Sequence, residues 1–423
     1  MIREIFSLQK RQSLLIKKKT TIDFLSSTIL LIPLLLVVIS SLLIFSIQRQ
    51  YSSGDAINHL FTGFIGCIVA ILISYIPLER IKNYIIPFYL LAVTSLLLVY
   101  FFGISIYGAQ RWLSIGLFSF QPSEIAKLST LLFLALVLDS KIVSSLKDLL
   151  LPFVVTIVPW MLIFFQPDLG TSLVLIFLFL VMLYWARMPV EWILIIIFCF
   201  FTAIFAYISK FILIFWLPFV GYLGYKSFQK KRLFLFIVVL LHSLIARITP
   251  FLWNYGLKDY QKDRLILFIE PGRDPLGGGY HLIQSKIAIG SGGLFGTGFL
   301  QGKLTNLQFI PEQHTDFIFS AVGEELGFIG SFFVVFLFFV LIMYLIKISK
   351  NARTSFESFL IIGVASIFLF QIIINIYMTI GLGPVTGIPL PFMSYGRTSL
   401  IVNFIFIGFV LSTIKRSRSM RKI

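Results

Sequence analysis

Cysteine is almost missing from this 423-residue chain: Cys67 and Cys199 are the whole complement. Both sit inside apolar runs, so neither a disulfide framework nor a CxxC metal site can form. Histidine is nearly as scarce, with four scattered residues and no HExxH spacing. Charge of any sign makes up only 13% of the chain, and acids are the rarer half, 18 Asp and Glu against 35 Lys and Arg. No strand precedes the one glycine-rich stretch, which excludes a dinucleotide fingerprint, and there is no soluble nucleotide-sugar motif. What fills the chain instead is hydrocarbon: 58% hydrophobic residues and 47 Phe. Soluble domains stay near half or below. The apolar residues gather into runs close to or beyond the ~18 residues that cross ~30 Å of hydrocarbon.

The net charge of +17 does not point to nucleic acid, because the basic residues form short clusters between apolar runs, as topology signals do. Six precede Thr20, ahead of an apolar run from Phe24 to Ile47 that is too long for a signal-peptide core. It reads as a retained first span. The spacing predicts spans over 24–47, 58–77, 84–102, 123–139, 149–165, 169–186, 190–209, 211–225, 233–253, 315–346, 357–380 and 394–414. The expected fold is therefore an all-α polytopic membrane protein of about twelve transmembrane helices. With the amino terminus inside, more than twice as many Lys and Arg fall in inner segments as in outer ones. That places the basic segment 1–23 and the basic tail 415–423 in the cytoplasm. One outer segment, 254–314, is about 60 residues long, against a usual connection of ~4–6 residues. Its mixture of aromatics, charges and glycines is not low-complexity sequence. No internal repeat stands out.

Charges in or near hydrocarbon are costly and mark function by default. Four groups lie at outer span ends. Arg111-Trp112 precedes Gln121-Pro122-Ser123-Glu124, a helix start in which Glu124 and Lys127 share one face. Lys127 is either a snorkelling lysine paired with Glu124 or part of a site. Asp168, in Gln166-Pro167-Asp168-Leu169-Gly170-Thr171, is either a helix cap or a site carboxylate. The long loop carries Arg264, the turn Glu270-Pro271-Gly272-Arg273-Asp274-Pro275, then Tyr280, His281, Gln284, Ser285 and Lys286. Asp274 before Pro275 fits an ordinary turn as well as a site. The glycines at 290, 292, 293, 296 and 298 fit an anion-binding nest, a weak signal by itself. His314 and Asp316 open the tenth predicted span, with the adjacent Glu324 and Glu325 deeper. Two carboxylates in an apolar helix require a wet cavity or a partner, and Gly323 and Gly327 have close-packing spacing. Between Gly381 and Gly396, Pro384, Pro389 and Pro391 forbid regular helix. A re-entrant outer segment ending at Ser394-Tyr395-Gly396 fits.

The stretches GAQRWLSIG, QPSEIAKL, QPDLGT, YQKDRL, DPLGGGYHLIQSKIAIGSGG, PEQHTDFIFSAVGEELG and GPVTGIPLPFMSYG together resemble the shape, elongation, division and sporulation (SEDS) family, whose best-known members are RodA and FtsW. The DPLGGGYH stretch is more similar to RodA. The resemblance implies a peptidoglycan glycosyltransferase of the cytoplasmic (inner) membrane that polymerises lipid II on the periplasmic face for cell elongation and rod shape. It also implies work with a class B penicillin-binding protein and elongation-complex membrane proteins, and no nucleic acid. A lipid II flippase and an FtsW-like septal polymerase are the alternatives, and a non-catalytic scaffold is a third. By resemblance Asp274 is the essential loop aspartate, and Glu124 and Lys127 line an outward cavity. Substrate contacts are expected from Arg111, Glu124, Lys127, Asp168, Arg264, Gln284, Ser285, Lys286, His314, Asp316, Glu324 and Ser394. A divalent cation (Mg2+ or Mn2+) is left open, with no organic cofactor. Two departures stand out: the family usually has ten spans, so 190–225 reads as an inserted hairpin within the 24–414 membrane domain, and Arg397-Thr398 replaces a common Gly-Ser.

Overall fold

A computed structural model describes residues 27–49, 54–106, 109–115, 118–140, 143, 146–227, 231–256, 259–274, 279–307, 309–310 and 313–419. The basic segment 1–23, the end of the tail from 420, and Pro275, Gly277, Pro311 and Glu312 lie outside the described residues.

The chain is helical nearly throughout, as an apolar sequence in lipid must be when every backbone group has to be paired internally. Helices α1 (Ser27–Gln48) and α2 (Gly54–Ile73) are followed by the short α3 (Leu78–Lys82) and by α4 (Ile85–Phe102). A small antiparallel sheet comes next: β1 (Ile104–Ile106), β2 (Ala109–Ile115) and β3 (Phe118–Phe120) in that order. The sequence reading contained no strand here, because β1 and β3 have three residues each and the seven of β2 do not alternate apolar with polar. Pro122 then starts α5 (Pro122–Ser140), where its missing N–H costs nothing. Next are α6 (Leu146–Phe165), α7 (Leu169–Trp185), α8 (Val190–Ile208), α9 (Lys210–Ser227) and α10 (Lys231–Phe251).

Among its described residues the long segment 254–314 is folded. It holds α11 (Asp259–Ile269), a 3-10 turn over Pro271–Arg273, α12 (Tyr280–Ser291) and α13 (Lys303–Asn306). Then come α14 (Ile318–Glu325), α15 (Gly327–Lys350), α16 (Ser355–Thr379) and α17 (Arg397–Ser419). Thr354 Oγ1 caps α16 by accepting from Glu357 N at 3.2 Å.

Among the described residues nine helices are long and apolar enough to cross a membrane. They are α1, α2, α4, α6, α8, α10, α15, α16 and α17. Helices also occupy the other three predicted spans. Of these, α7 is apolar but short, α5 carries Glu124, Lys127 and Asp139, and α9 is an 18-residue helix flanked by Lys210 and Lys226. The one predicted span that changes shape is 315–346. It is two helices, because Gly327 takes φ +65° and breaks the run after Leu326. The span proper starts at Gly327, which leaves Glu324 and Glu325 on α14, just outside it.

α16 is the central post. It packs on α5, α7 and α15, and its apolar stretch is 72% buried. α17 lies along α2 and touches α5 and α16. Helices α8, α9 and α10 form a side group that meets the rest through α7. Thr202 of α8 knits the group together: Trp216 Nε1 of α9 donates to its hydroxyl at 2.8 Å, and His242 Nδ1 of α10 lies 2.6 Å from the same oxygen.

Candidate active site

The outer ends of α5 and α7 meet at Asp168. It does cap α7, accepting from Thr171 N at 3.2 Å and from Thr171 Oγ1 at 2.9 Å. It also does more than cap. Gln121 Nε2 and Ser123 Oγ reach its Oδ2 at 3.3 and 3.5 Å, and Arg111 Nη1 lies 3.8 Å from its Oδ1. Arg111 is delivered by β2, and its Nη2 also donates to the carbonyl of Pro167. The sheet absent from the sequence reading is therefore what turns Arg111 inward.

One turn along α5, Lys127 Nζ pairs with Glu124 Oε1 at 2.8 Å, and the lysine is only 1% exposed. The snorkelling alternative fails, since a snorkelling ammonium reaches water. Glu124 Oε2 is buried and has no hydrogen-bond partner among the described residues. A buried pair with an unspent acceptor can take a polar guest, because desolvated charge is costly until it is fully paired.

The re-entrant segment closes the other side. Gly170 of α7 lies so near it that a Cβ would sit 2.9 Å from the Thr386 carbonyl. That carbonyl accepts from Arg264 Nη1 of α11 at 3.3 Å. Gly387 follows with φ +72°, and a Cβ there would stand 3.3 Å from Asp316 Oδ2 and 3.8 Å from Arg264 Nη1. Glycine therefore lets a carboxylate and a guanidinium come together against bare backbone. Asn375 of α16 secures both strands of this corner, donating to the carbonyls of Asp316 at 2.9 Å and Ile388 at 2.8 Å. Arg111, Glu124, Lys127, Asp168, Arg264 and Asp316 thus gather in one linked polar cluster at the mouth of the helix bundle, where α5 and α7 begin.

Asp274 is exposed at the end of the 3-10 turn, where its carbonyl accepts from Gly279 N at 3.0 Å. Both flanking helices are tied to the mouth. α11 carries Arg264. α12 is held to the end of α16 by Ser285 Oγ, which donates to the Thr379 carbonyl at 2.8 Å, and the Lys286 stem lies against Gly381. Gln284 is half-buried on α12. The carbonyl of His314 accepts from Tyr395 N at 3.0 Å, and the two rings stand 5.6 Å apart.

Three expected substrate contacts are corrected. Ser285 is fully buried and spends its hydroxyl on Thr379. Ser394 is buried and closes a turn by accepting from Leu390 N at 2.7 Å. Glu324 caps α13: it accepts from Leu304 N at 2.8 Å, Thr305 N at 2.9 Å and Thr305 Oγ1 at 2.6 Å. The glycine series is corrected too. Gly292 and Gly296 pack against the backbone of Gly323 and Glu325, so they serve close approach rather than an anion nest.

Glu325 is buried beside α1, where Ser46 Oγ donates to its Oε1. Burial pushes its carboxyl up to about 7, Ser46 and the Leu300 backbone pull it back, and the Glu324 charge adds to the rise. Tyr395 donates to Asp55 Oδ1 at 2.9 Å and also bonds Arg397. Burial, then Asp55, raises its hydroxyl, while Arg397 opposes. Asp55 and Asn375 escaped the sequence reading. A buried amide inside the apolar run of α16, which also holds Gln371, was the available signal for Asn375. No three His, Cys, Asp or Glu residues among those described gather into a metal cage.

The chain matches the profile of the cell cycle protein family FTSW_RODA_SPOVE over residues 20–238 and 212–419. It is 35% identical over 363 residues to the peptidoglycan glycosyltransferase MrdB of Escherichia coli (strain K12), which covers 84% of this chain and 85% of that protein. It is 32% identical over 397 residues to the peptidoglycan glycosyltransferase RodA of Treponema pallidum (strain Nichols), covering 86% and 90%. A chain solved in a peptidoglycan synthase complex that coordinates polymerization and crosslinking superposes with a TM-score of 0.69 at 26% identity, over 94% of this chain and 98% of that one. The outer mouth at the ends of α5 and α7 therefore sits in a multi-pass membrane protein that belongs to the FtsW, RodA and SpoVE family.

Proposed function

We propose that this chain is a peptidoglycan glycosyltransferase that polymerises lipid II into glycan strands at the periplasmic face of the inner membrane, both termini being cytoplasmic. The observation that carries this reading is the outer mouth itself. Three cations, Arg111, Lys127 and Arg264, are each set beside a carboxylate at the ends of membrane helices. The exposed Asp274 hangs on a turn between two helices anchored there.

The donor is a disaccharide whose anomeric carbon bears an undecaprenyl diphosphate. The acceptor 4-hydroxyl oxygen forms the new bond to that carbon as the bond to the diphosphate oxygen breaks. Asp274 takes the hydroxyl proton as general base, a role worth about 10²–10⁴ in rate. Diphosphate leaves with the bonding electron pair, and Lys127 and Arg111 stabilise its charge as it departs. Cations held in place beforehand cost no reorganisation during reaction. The lipid tail remains in the groove between helices, which is why a sugar-transfer site belongs in a membrane. The similarity to MrdB and RodA favours elongation and rod shape over septation. The solved synthase complex supports a class B penicillin-binding protein as partner, with elongation-complex membrane proteins beside it. A divalent cation (Mg2+ or Mn2+), where it takes part, would arrive with the diphosphate.

Purified protein given lipid II in detergent, with moenomycin present to silence other transglycosylases, should make glycan chains. Asp274→Asn should retain folding and lose chain synthesis by at least ~10²-fold. Normal synthesis by that variant ends the general-base role. Lipid movement across vesicles without polymer would favour a flippase instead.

A further inference from the structure

Where the outer loop meets α15, segment 292–298 is stitched to the helix break by backbone. Thr297 N and Gly298 N donate to the carbonyls of Glu324 and Glu325 at 2.9 and 3.1 Å, and Phe328 N and Ile329 N donate to those of Gly293 and Leu294 at 2.9 and 3.1 Å. These are late acceptors of α14 and early donors of α15, groups that a helix end leaves without intrahelical partners. The height of the segment is therefore set by the first turn of α15. That helix has 24 residues, about 36 Å at ~1.5 Å per residue, which exceeds the ~30 Å of hydrocarbon. Its basic residues Lys347 and Lys350 mark the opposite boundary, so the first turn, from Gly327, falls at the headgroup boundary on the loop side.

At that height Leu294 is 64% and Phe295 79% exposed, next to Phe328 at 63% and Ile329 at 53%. Phe332 continues the stripe down the span, its ring 6.4 Å from that of Phe328. An apolar patch of this kind is one that water-facing surfaces avoid. Here it runs without interruption into the lipid-facing side of a membrane helix, and that continuity names its occupant. We propose that Leu294 and Phe295 form a membrane-anchoring tip, which holds the outer loop against the bilayer by inserting into the headgroup–acyl boundary of the outer leaflet. The partner is bilayer phospholipid. The inference needs the membrane-spanning fold alone and does not rest on the proposed reaction.

The test uses the full chain with Cys67→Ser, Cys199→Ser and Phe295→Cys carrying a nitroxide label. It is reconstituted in phosphatidylethanolamine–phosphatidylglycerol vesicles and read by power-saturation EPR. Collisions with oxygen should exceed those with a water-soluble nickel chelate at 295, and the order should reverse at Gly272→Cys on the exposed turn. Equal nickel preference at both sites would overturn the tip. So would a label that is nickel-accessible in lipid alone and becomes protected only when a partner synthase is added, which would make the face a protein docking surface. If the cysteine-free background does not fold, Phe295→Trp in the native background gives the same answer. Brominated phospholipid should quench it more than the unsubstituted protein, and no difference overturns the proposal.

Discussion

Two neighbouring carboxylates on α14 show how far one position can separate identical chemistry. Glu324 is enclosed by three donors and holds α13. Glu325 has one bonded oxygen and one, Oε2, without a hydrogen-bond partner among the described residues. With its carboxyl raised to about 7 from 4.5, the folded state holds a proton that the unfolded state releases. The stabilisation is complete below the unfolded value, declines as pH rises from 4.5, and is gone above about 7. Thermal melting in detergent should accordingly fall across that window, and Glu325→Gln should flatten the fall. Equal slopes for the two proteins would show that Glu325 does not hold the proton.

Among elements, the α8–α9–α10 group shares one hydroxyl, Thr202, on which both neighbouring helices place a polar side chain. Intramembrane helix contacts gain little from apolar burial, and interhelical hydrogen bonds contribute about 0.6–2 kcal/mol each. Thr202→Val removes the acceptor for Trp216 and the neighbour of His242. It should lower stability by about 1–2 kcal/mol, read as a lower melting temperature, with chain synthesis largely kept because Thr202 itself bonds only within the α8–α9–α10 group. Most helices were legible from apolar runs, since the bilayer fixes their length. The breaks were not. Gly327 was read as a packing glycine rather than a stop, because its left-handed φ is fixed by loop backbone arriving from residues 292–298. Partnership across such distances has no local signature. For the same reason Glu324 read as a site residue: its donors lie about twenty positions away. Asp168 was legible as a cap because Thr171 is three positions away on its own helix, whereas its partners Arg111, Gln121 and Ser123 lie 45 or more positions away and left no local sign.

For the molecule as a whole, sidedness decides everything chemical. The family profile matches in two pieces that overlap at 212–238, close to the helices that the sequence reading took for an insertion. A pair of added crossings leaves the polarity of all later segments unchanged. Gly272 is exposed, and a side chain there meets nothing within 4 Å. Gly272→Cys in intact cells should therefore react with a membrane-impermeant maleimide. Labelling only after the membrane is breached would put the Asp274 turn on the wrong side for a periplasmic polymerase.

The seam between loop and span also has an evolutionary reading. Gly292, Gly296, Gly323 and Gly327 each stand where an added Cβ would strike opposing atoms. Every coding change at these positions adds at least one carbon, so the seam has no neutral neighbours in sequence space. In a library of all single substitutions, these four sites should tolerate as little change as a reacting residue, although none bears a functional group.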